Sequence, residues 1–385
     1  MTVKKLKNRV QDVVRKGDML LLALCVVAAL FGIVLIAATT AGEDNRRYII
    51  TQGGCLVAGV LIYLALTAFD IDILAGQRTL LFLFNAAFIG MLLIWGEEDN
   101  TGNLAWLKFP FLPFRIQPAE VCKITYTIIL AKTLSINQTR VSSPKCVLPL
   151  TFQMLFIVGL YVIISKDLGV ALIFIFVFIA LAFVGGVNWG WILGGLGIFA
   201  AAAPYLWTNV MRTDQKNRIL AIYDPSIDPT GRYQLWQTNQ NIKALRNGGL
   251  VGMGLGNGTL TKTATLPARH TDSIFSAAGE QIGLIGCILI LLLLIAIIAR
   301  IVYVALRSPD YMNRLICIGI ASMYLFQIII NVGMCLGLTP IIGLALPFFS
   351  YGGSSTLTTF IAMGIVSGIK MRPSREISAL YIRPY

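Results

Sequence analysis

About ten uninterrupted apolar runs, each of roughly 20 residues, constrain this chain more than any other feature. A run of that length can cross a bilayer. In hydrocarbon it must satisfy its own backbone N–H and C=O groups, and a helix does so. Of the 385 residues, 57% are hydrophobic and 13% charged, whereas soluble domains are about half apolar and a quarter charged. A soluble enzyme, a disordered chain and a disulfide scaffold are thereby excluded. The expected fold is an all-α polytopic membrane protein, residues 1–385 forming one membrane domain.

The runs predict spans at 19–41, 48–68, 79–96, 118–136, 146–165, 169–187, 190–207, 273–299, 315–337 and 355–370. An even number puts both termini on one side. That side carries sixteen basic residues: Lys4, Lys5, Lys7, Arg9, Arg15, Lys16, Arg78, Arg140, Lys145, Arg300, Arg307, Arg314, Lys370, Arg372, Arg375 and Arg383. The opposite short loops carry five: Arg46, Arg47, Lys108, Arg115 and Lys166. The bias places both termini in the cytoplasm. The net charge of +13 thus reports topology and no nucleic-acid partner. The basic start precedes a first run of full spanning length and reads as a retained anchor. The seven cysteines scatter over the runs without a Cys-x-x-Cys, as small buried hydrophobes do.

One large loop, 208–272, remains between spans seven and eight, on the outer face. It carries eight basic residues (Arg212, Lys216, Arg218, Arg232, Lys243, Arg246, Lys262, Arg269) against three acidic ones (Asp214, Asp224, Asp228). A structureless loop of that length is uncommon unless functional. Its charge suits an anionic ligand such as a phosphorylated lipid headgroup, or anionic lipid in general. The alternating Gly252, Gly254, Gly256 and Gly258 can bring backbone N–H groups to a phosphate or form a flexible turn; spacing alone favours the turn. The single histidine, His270, excludes a His-rich zinc site, and no P-loop motif occurs.

Polar residues inside or beside the spans carry the functional signal. Glu120 and Lys123, three apart on the fourth span, share a helix face and can pair, as a site or as a self-neutralised interface. Asp167 sits between spans five and six, where it can cap the sixth helix, with Gly169 permitting a tight turn. Thr271 or Asp272 makes an N-cap for span eight. The helix dipole favours an ionised Asp272, and low dielectric at the bilayer edge opposes that. Glu280 lies about 12 Å deeper on nearly the same face and needs a partner from another helix. Segment 338–355 is apolar but broken by Pro340, Pro347 and Gly352-Gly353, the pattern of a re-entrant loop buried against protein. Asn331 inside span nine needs an interhelical partner.

These residues fall in a familiar order. Gln117-Pro118-Ala119-Glu120-Val121-Cys122-Lys123, Lys166-Asp167-Leu168-Gly169, Tyr233-Gln234 with Gln237, Gly248-Gly249-Leu250, Leu266-Pro267 with His270-Thr271-Asp272, and Asn331 through Ser350-Tyr351-Gly352-Gly353-Ser354-Ser355 resemble the motifs of the SEDS family. This is the shape, elongation, division and sporulation group of RodA, FtsW and SpoVE. Departures are Ala268-Arg269 before the histidine, Gln281, Lys166, Ala105, and Arg246-Asn247; they leave the elongation and division branches unseparated.

The resemblance implies a ten-span peptidoglycan glycosyltransferase of the bacterial cytoplasmic membrane. It would polymerise lipid II, the undecaprenyl-pyrophosphate disaccharide pentapeptide, for cell elongation, division or sporulation. Its implied partners are a class B penicillin-binding protein and the elongation or division complex. Asp272 falls at the family's essential aspartate, the general base for a sugar hydroxyl. The leaving pyrophosphate needs positive charge, for which Lys123, Arg246, Lys262 and Arg269 are candidates. Glu120, His270, Gln234, Ser350 and Tyr351 complete the expected substrate site, and Asp167, Glu280 and Asn331 its support. A divalent cation, Mg²⁺ or Mn²⁺, fits pyrophosphate chemistry, with no readable ligand set. The rival classes are a lipid II flippase, which would place binding groups near the midplane, and a non-catalytic scaffold of the division or elongation machinery.

Overall fold

A computed structural model describes residues 12–41, 45–98, 102–108, 115–233 and 235–372. A helix lies over each expected run. These are α1 (Met19–Thr39), α2 (Asn45–Ala68), α4 (Arg78–Gly90), α6 (Pro118–Ile136), α7 (Pro144–Ser165), α8 (Leu168–Val184), α9 (Trp189–Tyr205), α13 (Ile274–Arg307), α14 (Tyr311–Cys335) and α15 (Gly353–Met371). Among the described residues, seven helices are long and apolar enough to cross a membrane. Short helices α3 (Ile71–Gly76) and α5 (Leu92–Trp95) flank α4. The starts are chemically marked. Asp18, Asp70, Asn188 and Asp310 accept from backbone N–H groups two or three residues on, and proline opens α6 and α7.

The all-α expectation needs one amendment. Strands β1 (Gly96–Glu98) and β2 (Leu104–Leu107) pair antiparallel, Gly96 opposite Leu107 and Glu97 opposite Trp106. Glu97 closes the hairpin with Lys108 at 2.8 Å and Arg115 at 3.1 Å. Spacing between two apolar runs gave no period from which so short a hairpin could be read.

Helix α14 is the most enclosed of the candidate spans and packs against α13, α8 and α6, while α15 packs along α2. Glycine makes the last contact close: a methyl group on Gly364 would stand 3.0 Å from the backbone of Tyr63. With lipid on both sides of a pair, small residues at the crossing are what lets the backbones approach. Helix α9 is the opposite case, with no buried residue.

Helix α1 measures the bundle. Its first end is tied to α13 through Asp18 and Arg300, 2.8 Å apart. Its last carbonyls meet the other end of the same helix region, where Arg269 Nε donates to Thr39 O at 2.9 Å. Twenty-one residues span about 32 Å, close to a hydrocarbon core of about 30 Å. The Asp18 end and the Asp272 end are therefore opposite faces.

The loop 208–272 is folded. It contains α10 (Thr213–Tyr223), α11 (Trp236–Gly248) and α12 (Thr259–Lys262). Asp228 organises the turn before α11 by accepting from the N–H groups of Arg232, Tyr233 and Leu235 and from Thr230 Oγ1. Burial pushes this carboxyl up, but the backbone donors of Leu235, Tyr233 and Arg232, with Thr230, outweigh it and hold its pKa below the ordinary value. A depressed carboxyl stabilises the fold above its unfolded pKa, about 3.9, and the contribution is lost as pH falls through the lower folded value. Amide protection at Arg232, Tyr233 and Leu235, that is, exchange relative to its intrinsic rate at each pH, should thus be flat from pH 7 to about 5 and fall below about 4. Asp228→Asn should remove most of that pH dependence, and an unchanged profile would count against the assignment.

Candidate functional site

The site grows from a break in α13. Gly283 takes φ 68°, ψ −169° inside the helix, which frees carbonyls before it and N–H groups after it. The glycine-rich stretch after α11 takes up both sets. Leu284 N donates to Gly249 O and Ile285 N to Leu250 O; Met253 N donates to Glu280 O and Gly254 N to Gln281 O. Backbone meets backbone here, so side chains are excluded: a methyl group on Gly252 would stand 2.3 Å from Gln281 O. The N–H groups of Met253, Gly254 and Gly256 are all bonded to α13. The stretch is neither a free turn nor a phosphate cradle.

Glu280, fully buried, faces the loop. It accepts from the N–H groups of Leu260 (2.8 Å) and Thr261 (2.9 Å) and from Thr259 and Thr261 hydroxyls. It thus caps α12 from outside the chain segment, using no cation. The expected partner from another spanning helix is replaced by the outer loop.

Segment 338–355 forms the hub at this end. Asn331 Nδ2 donates to both Asp272 O (2.9 Å) and Leu344 O (2.7 Å), joining α14, the start of α13 and the segment. Ser350 Oγ donates to Thr271 O and accepts from Leu346 N; Tyr351 N donates to His270 O. The rings of His270, Tyr351 and Tyr48 pack mutually at 4.9–5.9 Å. Phe348 and Phe349 cover Gly32 of α1, where a methyl group would stand 2.5 Å from Phe348 O. The segment is thus buried at Leu344 and from Leu346 to Ser350, while Leu338 and Gly343 remain exposed.

Asp272 is partly exposed, and its Oδ2 lies 3.6 Å from where a methyl group on Gly343 would sit. The helix begins one residue later than expected, with Ser273 as N-cap and no side-chain capping bond. Neither Thr271 nor Asp272 serves as the N-cap, so the carboxylate is not committed to the helix start.

The other motif residues reach the same hub. Lys123 Nζ and Glu120 Oε1 are 2.7 Å apart, with the lysine side chain 1% exposed. Thr358 of α15 donates to Glu120 Oε2 at 3.4 Å, and Gln117 N to Ser354 Oγ. Asp167 caps α8 through Val170 N at 3.2 Å, as expected. The left-handed residue of that turn is Lys166 (φ 61°), not Gly169. Gly169 serves instead to let Ile342 approach, its methyl position being 2.9 Å from Ile342 O.

Four expected cations separate into two groups. Lys123 and Arg269 are buried, the first on Glu120 and the second reaching Thr39 O. Arg246 and Lys262 are exposed, beside the Glu280 level of α13. Gln234 lies outside the described residues. Gln52 was not anticipated. It is 1% exposed and donates to Thr356 Oγ1 at 2.8 Å while accepting from Gly352 N at 3.2 Å. A lone amide inside a span was the signal that could have found it. Among the described residues, no cluster of three or more His, Cys, Asp or Glu could hold a metal. The seven cysteines are free and buried.

A multi-helix integral membrane protein, with a partly exposed carboxylate beside a helix start and a non-helical segment packed against it, is the class that fold and site define. The chain belongs to the FtsW, RodA and SpoVE family of cell cycle proteins, whose family model matches residues 16–375. It is 33% identical over 374 residues to the probable peptidoglycan glycosyltransferase FtsW of Geobacter metallireducens, covering 93% of this chain and 96% of that one. It superposes on the crystal structure of Thermus thermophilus rod shape determining protein RodA with a TM-score of 0.69 at 27% identity, over 94% of this chain and 98% of that one. It also matches a chain from a peptidoglycan synthase complex that coordinates polymerization and crosslinking, with a TM-score of 0.77 at 29% identity, over 92% and 97% of the two chains.

Proposed function

We propose that this peptidoglycan glycosyltransferase polymerises lipid II at the outer face of the bacterial cytoplasmic membrane, with Asp272 as general base. The reading takes all ten helices as spans and both termini as cytoplasmic, supported by the sixteen-to-five bias of basic residues. The observation that carries it is the convergence of the family's separate motifs on segment 338–355, around one partly exposed carboxylate.

The chemistry then follows. The acceptor sugar hydroxyl gives its proton to Asp272 as its oxygen bonds to the donor's anomeric carbon. The bond from that carbon to the pyrophosphate oxygen breaks, and the lipid pyrophosphate leaves as an anion with both electrons. Such a leaving group needs positive charge and no general acid, so one carboxylate suffices, unlike the glycosidase pair. Arg246 and Lys262 are the exposed cations for it. Lys123 neutralises Glu120, whose other oxygen accepts from Thr358 of α15. The donor set fits a Mg²⁺ or Mn²⁺ ion carried by the substrate's phosphates with one carboxylate, rather than a resident metal. When bound, such an ion would neutralise pyrophosphate charge. The likeness to a synthase-complex chain supports a class B penicillin-binding protein as partner.

The polar residues argue against a flippase. Glu280 is taken up by donors of the loop and Asn331 Nδ2 by two carbonyls, so the two deep groups expected from the sequence serve the fold. Purified with its transpeptidase partner and given lipid II and Mg²⁺, the protein should yield glycan polymer. Scrambling of lipid II across liposomes with no polymer would establish transport instead, and neither activity would favour the scaffold.

Gly343→Ala tests the geometry at the hub. Gly343 has φ +71°, and a left-handed alanine costs about 1–3 kcal/mol. The new methyl also stands against Asp272. The strain should lower stability by about that amount, and a segment that shifts to relieve it should displace Asp272 and lower polymerisation while the protein still binds its partner; wild-type stability together with wild-type turnover would refute the placement.

A further inference from the structure

The glycine-rich stretch leaves a feature that glycosyl transfer does not use. Its backbone faces α13, so its side chains face outward. Leu250 is 68% exposed and Val251 75%, with Met253 and Leu255 exposed beside them. Four apolar side chains on the tip of an aqueous loop would be a costly surface. They are continuous with another apolar surface. Leu250 and Ile285 are joined through their backbones, and Leu284, Ile285, Ile288 and Leu289 are exposed along α13.

Depth can be read from α13 itself, which runs unbroken from Leu284 to Arg307. A hydrocarbon core of about 30 Å takes about 20 helical residues. With Arg300 at the far boundary, the near boundary falls at Glu280; with Arg307, it falls at Cys287. Leu284 and Ile285 lie between these limits, at the edge of the acyl layer. The exposed Arg246 and Lys262 flank the apolar tip in sequence, as cations at lipid phosphate height do.

We propose that residues 249–256 form a membrane-inserted wedge whose apolar tip is occupied by phospholipid acyl chains of the leaflet at the Asp272 end. The wedge holds the outer loop at a fixed height. Because the same residues complete the hydrogen bonds of broken α13, it couples that height to the helix carrying Asp272 and Glu280.

Val251→Cys in the full-length protein, labelled with an environment-sensitive maleimide fluorophore and reconstituted in vesicles, reads the occupant directly. The seven native cysteines are buried. Glu98→Cys on the polar hairpin is the aqueous control, and Leu255→Cys replaces Val251→Cys if that variant misfolds. The Val251 label should lose most of its emission to phospholipids brominated on their acyl chains and little to aqueous iodide, with the Glu98 label doing the reverse. Quenching by iodide alone would overturn the proposal, as would protection from both quenchers, which means a protein partner covers the tip. Bromolipid quenching that added lipid II relieves would also overturn it, by assigning the tip to the substrate tail.

Discussion

Asp272→Asn is expected to lower lipid II polymerisation by about two to four orders of magnitude, the usual worth of a positioned general base, while leaving the bundle folded. The ties that hold this stretch to the hub run through main-chain carbonyls. Asn331 is held by the main-chain carbonyl of residue 272, Ser350 by that of Thr271, and Tyr351 by that of His270. The helix start is set by Ser273. Asparagine keeps the volume but is neutral, exchanges one acceptor oxygen for an NH2 donor, and cannot serve as a base. Partner binding and thermal midpoint should therefore match the wild type while polymer disappears. Substantial turnover in Asp272→Asn would remove the residue from the mechanism. A collapse in stability would show that the carboxylate serves the fold.

The second large effect is at the other face. Asp18 is wholly buried and joins four helices: its carboxylate meets Arg300 of α13 at 2.8 Å and Lys370 of α15 at 3.4 Å, and accepts from Leu21 N of α1. Its main chain also accepts from Tyr63 of α2 and pairs with Ser367 of α15. Removing one partner of a buried ionic group costs about 3–5 kcal/mol because the remaining charges stay unpaired. Arg300 and Lys370 are 18% and 34% exposed, so each regains some water, and Asp18→Ala should cost roughly 2–3 kcal/mol. Unfolding in mixed micelles measures it. Asp18→Asn retains the helix cap and isolates the ionic part. Equal stability of all three proteins would show the network to be decorative.

The helices were legible because apolar run length is a property of local sequence, and each expected run carries one. The motif residues were legible as a group, through their family resemblance and the cost of placing polar atoms in lipid. Their roles were harder to read. Glu280 looked like an isolated deep carboxylate because its donors, Leu260 and Thr261, lie about twenty positions earlier in a loop with no helical period. Asp18 drew no notice in the sequence because Arg300 and Lys370 are hundreds of residues away. The break at Gly283 left no trace, since glycine recurs in most of the apolar runs and only the backbone of 249–254 makes this one bend. Lys123 and Arg269 read as substrate cations from charge and motif, and the sequence showed neither their burial nor the contact of Arg269 with Thr39 O.

The bent α13 also imposes an order on biosynthesis. The chain leaves the ribosome from its N-terminus, so Gly249 and Leu250 reach the far side of the membrane before Leu284 and Ile285 exist. Their hydrogen-bond partners arrive only when the following helix is inserted and has kinked. Until then the loop has no template, and α12 lacks the acid that caps it. Completion of the surface at the Asp272 end is therefore a late event, gated by one glycine in a segment that hydropathy alone would pass as an unbroken span.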